Sequence, residues 1–190
     1  MELKIEKEGT ALIIIDLQKG IAAMDRQTAP HGVADVIQNA SRLADAFRKN
    51  AMPVFLVHVV ASDKDRLKPT ADEQPWSAGR MPDDFSDFVQ QLGPKDSDII
   101  ITKKQWGAFY GTDLELQLRR RGIHTVVLCG IATNYGVEST ARFAYEYGYQ
   151  QIFAEDAMTA MSEEAHNNSV NLVFRRIGRV RKTEEILAVL

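Results

Sequence analysis

The sequence predicts an α/β domain: a three-layer, doubly wound, mostly parallel sheet of five to six strands with helices on both faces. Short β-branched runs alternate along the chain with longer segments of helical apolar spacing, the signature of right-handed βαβ units. The runs are apolar nearly throughout, as expected when helices cover both faces of a parallel sheet. Several runs hand over to the next segment at a charged residue or a glycine, where such sheets gather their chemistry.

The first strand is Ala11 to Ile15, a β-branched run after a polar lead-in, and it ends in Asp16. Leu17 to Gly32 reads as a loop broken by Gly20, Pro30 and Gly32, and Val33 to Asn50 carries apolar residues at helical spacing. A second strand starts at Pro53 and runs through Val60. Ala61 to Asp84 is polar and holds Pro69, Pro75, Gly79 and Pro82, so it reads as a long surface loop. Loops of that length inside compact domains are more often functional than idle.

Asp98 to Thr102 forms a third strand, followed directly by Lys103. The next segment, GTDLELQLRRRG, opens with Thr112 as a helix N-cap and closes at Gly122. His124 to Cys129 is the fourth strand, Asn134 to Tyr147 its helix, and Gln151 to Ala154 a fifth strand ending in Glu155 and Asp156. Ser162 to Arg175 is a further helix with half a capping box, since Ala165 stands where Glu or Gln would complete it. Arg179 to Leu190 adds an edge strand and a short helix.

A chain of 190 residues suits one domain, 1–190, able to bury roughly 70% of the surface of its unfolded form. A net charge of −3 supplies no basic field, so nucleic acid is not an expected partner; small neutral or anionic molecules are. The opening MELKIEKEGT is acidic where a signal peptide is apolar, and no run approaches the roughly 20 apolar residues of a membrane span. A cytoplasmic protein with no membrane partner is the expectation.

The lone cysteine, Cys129, excludes an internal disulfide and any multi-cysteine metal site. It lies inside the apolar run VVLCG and reads as a buried structural thiol, because a reactive thiolate needs an electropositive, partly exposed place. The four histidines, His31, His58, His124 and His166, stand in no tight pair with one another. His58 reads as a strand residue and His166 as a surface helix residue; no metal and no cofactor are expected.

The stretch that organises the rest is Val126 to Arg142, VVLCGIATNYGVESTAR: a buried strand, a glycine, a short turn and an amphipathic helix. The first N–H groups of a helix placed there favour anions and developing negative charge. With IIIDLQ around Asp16 and KKQWGAFYGTDLE from Lys103, this stretch resembles the signature of the isochorismatase-like hydrolases, also called the cysteine hydrolase superfamily. In most of that family the place held here by Gly136 is a cysteine, the nucleophile of an Asp-Lys-Cys triad. The resemblance implies Asp16 and Lys103, rather than Lys104, as the other two members.

Glycine has no side chain with which to form a covalent intermediate. Within the family, glycine in this position is what true isochorismatases show, and they cleave a vinyl ether without an enzyme nucleophile. The resemblance then implies Asp16 as general acid, Lys103 as the group that orients it, and Gly136 as the opening for substrate beside backbone donors from Ala132 to Gly136. A lysine ammonium favours ionised aspartate, so burial or another carboxylate would have to raise the Asp16 pKa. Gln18, Trp76, Arg80, Trp106, Phe109, Ala132 and Tyr135 are the candidate pocket lining, and aromatic rings beside an arginine suit a planar carboxylate. Isochorismatases place a polar residue where Val59 stands and a tyrosine where Ala132 stands, which points away from isochorismate itself.

The leading reading is acid-catalysed hydrolysis of a small carboxylated substrate. An amidohydrolase that uses a bound water and a non-catalytic binding protein are the alternatives. Resemblance also implies a homodimer or larger assembly.

Overall fold

A computed structural model describes residues 3–22, 27–60, 67, 69–72 and 82–190. Six parallel strands form one sheet: β1 (Thr10–Ile15), β2 (Val54–Val59), β3 (Ile99–Lys103), β4 (Thr125–Ile131), β5 (Gln150–Thr159) and β6 (Arg179–Arg181). The helices, in chain order, are α1 (Lys19–Ala22), α2 (Val33–Lys49), α3 (Leu114–Arg120), α4 (Glu138–Glu146), α5 (Glu163–Asn168), α6 (Arg175–Ile177) and α7 (Thr183–Leu187).

The strand order is β3-β2-β1-β4-β5-β6, so the chain builds outward from β1 to one side and then restarts at β4 on the other. The seam between β1 and β4 is the topological switch point, where crevices form beyond the carboxyl ends of the strands. Ile15 is level with Val57 on one side and Gly130 on the other, which sets the three central strand ends side by side.

Alternation along β1 divides the core. Leu12 and Ile14 pack with Val36, Ala40, Leu43 and Phe47 of α2, while Ala11, Ile13 and Ile15 pack with Leu114 and Leu118 of α3 and Ala141 and Ala144 of α4. Each β1 residue is fully buried, because both sheet faces are covered. No helix among the described residues is long and apolar enough to cross a membrane.

Two elements differ from the sequence expectation. β5 runs to Thr159 rather than stopping at Ala154. Its pairing with β4 steps from Leu128↔Phe153 to Gly130↔Met158, so residues 154–157 swell out of the ladder. Glu155 and Asp156 sit in that swelling; acidic residues are depleted from strands, and the pattern therefore read as a strand end. The swelling has its own partners: Asp156 Oδ1 accepts from the backbone N–H and the hydroxyl of Thr183, both at 2.7 Å, and fastens the start of α7.

The single helix expected from Ser162 to Arg175 is three pieces. Ser162 caps α5 as expected, its hydroxyl accepting from Ala165 N–H at 3.2 Å. Residues Ser169–Phe174 then widen into a π turn before α6. The Ser169 hydroxyl approaches both Ala165 O and Glu138 Oε2, and a serine bonding back to the preceding turn loosens helical geometry. Thr112 accepts from Leu114 N–H at 3.2 Å, one residue ahead of the Asp113 cap position. A short helix, α1, lies inside the stretch expected to be loop.

Candidate active site

Three strand ends supply the site. β1 delivers Asp16, whose N–H is held by Val57 O at 2.9 Å and whose φ of 53° turns the chain sharply away from the sheet. A positive φ is uncommon for a residue with a side chain and marks a place where the fold imposes conformation. β3 ends in Lys103, two strands away, and the four-carbon stem carries its ammonium across β2. Lys103 Nζ donates to Asp16 Oδ2 at 2.7 Å and to Trp106 O at 2.7 Å.

Asp16 is 5% exposed and Lys103 2%, so this is a buried ion pair. Burial raises the Asp16 pKa above the ordinary aspartate value, and that effect outweighs the opposing pull of the Lys103 charge and hydrogen bond and the weaker influence of His58. The second oxygen, Oδ1, is buried with no hydrogen-bond partner among the described residues. A proton on Asp16 belongs on that oxygen, since Lys103 occupies the other.

β4 supplies the third part. The Ile131–Ala132 peptide is cis, and residues Thr133–Val137 form a π turn that leads into α4. Ala132 O accepts from Tyr135 N at 3.1 Å and Val137 N at 3.2 Å. Single π turns recur at functional sites. Gly136 lies on this turn, and a Cβ built there would stand 3.2 Å from Asp16 Oδ2 and 3.5 Å from Lys103 Nζ. A Cβ there would also press on the Ile15 Cγ2 methyl at 2.9 Å, so glycine lets the turn pack directly against the ion pair. Gly130, just upstream, has φ 120°, and a Cβ there would meet Ile15 O at 2.0 Å. Only glycine lets β4 approach β1 this closely at the switch point.

The expected lining residues divide. Trp106 and Tyr135 are exposed at 61% and 42%, and their rings meet edge to face at 4.8 Å beside the pair and the glycine turn. Ala132 sits at the turn's start, half-buried. Gln18 is not free to bind substrate: it is fully buried, its amide donates to Val59 O and Phe85 O, and its carbonyl accepts from Val59 N. It positions the end of β2. Phe109 is likewise core, buried against the rings of Tyr147 and Tyr149. Trp76 and Arg80 lie outside the described residues.

Other residues emerge only in three dimensions. Thr140 donates to Gly136 O at 2.7 Å and accepts from Ala108 N at 3.1 Å, tying the glycine turn to the segment after Lys103. His166, expected on a surface helix, is fully buried and bonds Thr133 Oγ1 and Glu155 Oε1. Periodicity could not reveal this, because the histidine faces inward from a helix whose flanks, EEA and NN, are polar. Cys129 is a fully buried free thiol on the α2 face of the sheet, with its pKa pushed up by burial.

The sequence matches the isochorismatase domain family over residues 10–185. It is 52% identical over 187 residues to the uncharacterized isochorismatase family protein YwoC of Bacillus subtilis (strain 168), an alignment covering 97% of this chain and 96% of that one. It is 30% identical over 211 residues to the ureidoacrylate amidohydrolase RutB of Acinetobacter baylyi, covering 97% of this chain and 85% of RutB. The fold resembles the solved structure of an isochorismatase family protein from Burkholderia thailandensis with a TM-score of 0.93 and 39% identity, over 100% of this chain and 99% of that one.

Proposed function

The chain belongs to the isochorismatase family, whose members are hydrolases, and from that premise we propose acid-catalysed hydrolysis of a small carboxylated vinyl ether, without a covalent intermediate. The observation that carries this reading is the buried Asp16–Lys103 pair, its Asp16 Oδ1 without a hydrogen-bond partner among the described residues, beside a turn residue, Gly136, that carries no nucleophile. Glycine offers no thiol to attack with, so water is the attacking group.

Asp16 protonates the terminal carbon of the enol ether through Oδ1, and the ether carbon becomes an oxocarbenium ion. Water adds to that carbon and returns its proton to the Asp16 carboxylate. The resulting hemiketal collapses to an alcohol and a 2-oxo acid. A positioned general acid typically contributes about 10²–10⁴-fold in rate. Lys103 holds Oδ2 and stabilises the carboxylate left after proton transfer. Arg80, with Trp76, is assigned to the substrate carboxylate, and the exposed Trp106 and Tyr135 rings to its apolar part.

The likeness to RutB favours one competing reading, hydrolysis of a small amide by bound water. A parallel assay separates them: 2-oxo acid release from carboxylated vinyl ethers that Asp16→Asn abolishes supports our reading, whereas ammonia release from amides with no 2-oxo acid replaces it. We also propose a homo-oligomer, a dimer or larger, on the family resemblance, and a cytoplasmic location on the acidic rather than apolar opening of the sequence. Gel filtration with light scattering tests the assembly, and a monomer at micromolar concentration would remove it.

A further inference from the structure

We propose that His31, Glu155 and His166 form a binding site for one divalent transition-metal ion of the zinc class. The three come from separate parts of the chain, the segment before α2, the swelling of β5 and α5, and the fold brings their donor atoms within 4.8 Å of one another. His31 Nε2 lies 2.9 Å and His166 Nε2 3.2 Å from the same oxygen, Glu155 Oε1. Zinc bound tetrahedrally at about 2.0–2.2 Å holds its nitrogen and oxygen ligands roughly 3.3 Å apart. Two edges of that ligand triangle are therefore present. Two imidazoles and a carboxylate also form a donor set that zinc accepts with a fourth position left for water.

The groups behind the ligands are arranged as a metal site requires. His166 Nδ1 lies 2.9 Å from Thr133 Oγ1, which fixes the ring and points Nε2 at the cluster. The His31 carbonyl accepts from Thr28 Oγ1 at 3.0 Å and Thr159 Oγ1 at 2.7 Å, and the neighbouring Ala29 pairs with Ala160. These bonds hold His31 independently of any ion. Thr133 is also the first residue of the turn that carries Gly136, so the cluster is one hydrogen bond from the active-site turn.

Solvent reaches the cluster through His31 and Glu155, whose side chains are 24% and 15% exposed. Glu155 and Lys182 also line a surface pocket of about 350 Å³ with Asn167, Arg175, Arg181 and Glu185; neither histidine borders it, and none of Asp16, Lys103 or Gly136 belongs to it. The Lys182 ammonium bonds Glu155 Oε2, but its side chain is 53% exposed and can move into solvent. An ion and this ammonium compete for one carboxylate. The alternative is a strut in which both imidazoles and the lysine only donate hydrogen bonds to Glu155; there Lys182 supports the cluster instead of competing with a ligand.

The experiment is titration of chelator-treated protein with Zn²⁺ in equilibrium dialysis and with Co²⁺ by visible absorption, using wild type, His31→Ala and Lys182→Ala, with circular dichroism to establish that each is folded. The proposal expects one ion per chain, the visible bands of low-coordinate Co²⁺, and loss of about 100-fold or more in affinity in His31→Ala, beyond what losing a supporting hydrogen bond costs. Lys182→Ala, altered only at a half-exposed side chain, should bind more tightly. Absence of stoichiometric binding by wild type, unchanged binding by folded His31→Ala, or weaker binding by Lys182→Ala would each overturn it.

Discussion

Asp16 has to hold a proton beside an ammonium 2.7 Å away, and burial is what makes that chemistry accessible. Because its pKa is raised, the acid form persists above the usual aspartate range, and kcat/KM should fall as pH rises through that pKa. Lys103 pulls in the opposite direction. Lys103→Met therefore moves the falling limb to higher pH, and a ¹³C-carboxyl titration of Asp16 checks the shift independently of activity; a limb that moves down would refute the assignment. Gly136 is the other informative residue. In Gly136→Cys the new Cβ presses on the Cγ2 methyl of the fully buried Ile15 at 2.9 Å, so the turn shifts by a few tenths of an ångström to admit it. The introduced thiol then lies beside Lys103, so it should react with iodoacetamide faster than an ordinary cysteine, while vinyl-ether hydrolysis is lost. Mass spectrometry locates the label, and slow labelling at this position would count against the geometry.

The elements β1 and β4 meet because Gly130 allows it. A side chain there would clash with the Ile15 carbonyl, backbone that cannot rotate aside, at a φ that favours glycine. Gly130→Ala should cost about 3 kcal/mol, read as a lowered urea midpoint, and should displace the Asp16 end of β1 as well. Both strands were legible in the sequence as apolar runs, and so was the handover from β4 to its helix. Less legible were the elements that depart from one repeat. The swelling of β5 looks like a strand end because Glu155 and Asp156 break the apolar run, and of their partners His31 and Thr183 are distant in sequence while His166 belongs to the following helix. The π turn at Ser169–Phe174 keeps helical composition, so periodicity read it as continuous helix.

For the molecule as a whole, the fold class followed from pattern alone, since parallel strands buried on both faces cannot look like anything but apolar runs. The meeting of Asp16, Lys103 and Gly136 followed from family motifs joined to that topology. Side-chain direction did not follow: Gln18 and Phe109 occupy motif positions yet point into structure, Gln18 because its amide satisfies the end of β2 and Phe109 because its ring packs with Tyr149. Cys129 reports on global stability, being fully buried in the sheet's α2 face. Its alkylation in the native protein should be slow and should accelerate with denaturant in step with unfolding, whereas rapid native labelling that stops turnover would make it a functional thiol.

The proton transfer itself is open to a direct reading. Hydrolysis of a carboxylated vinyl ether in D₂O, with the 2-oxo acid trapped at once by lactate dehydrogenase and examined by mass spectrometry, should give product with one deuterium in its methyl group, and Asp16→Asn should give none above background. Product without deuterium, or full turnover by Asp16→Asn, would contradict protonation of carbon by Asp16.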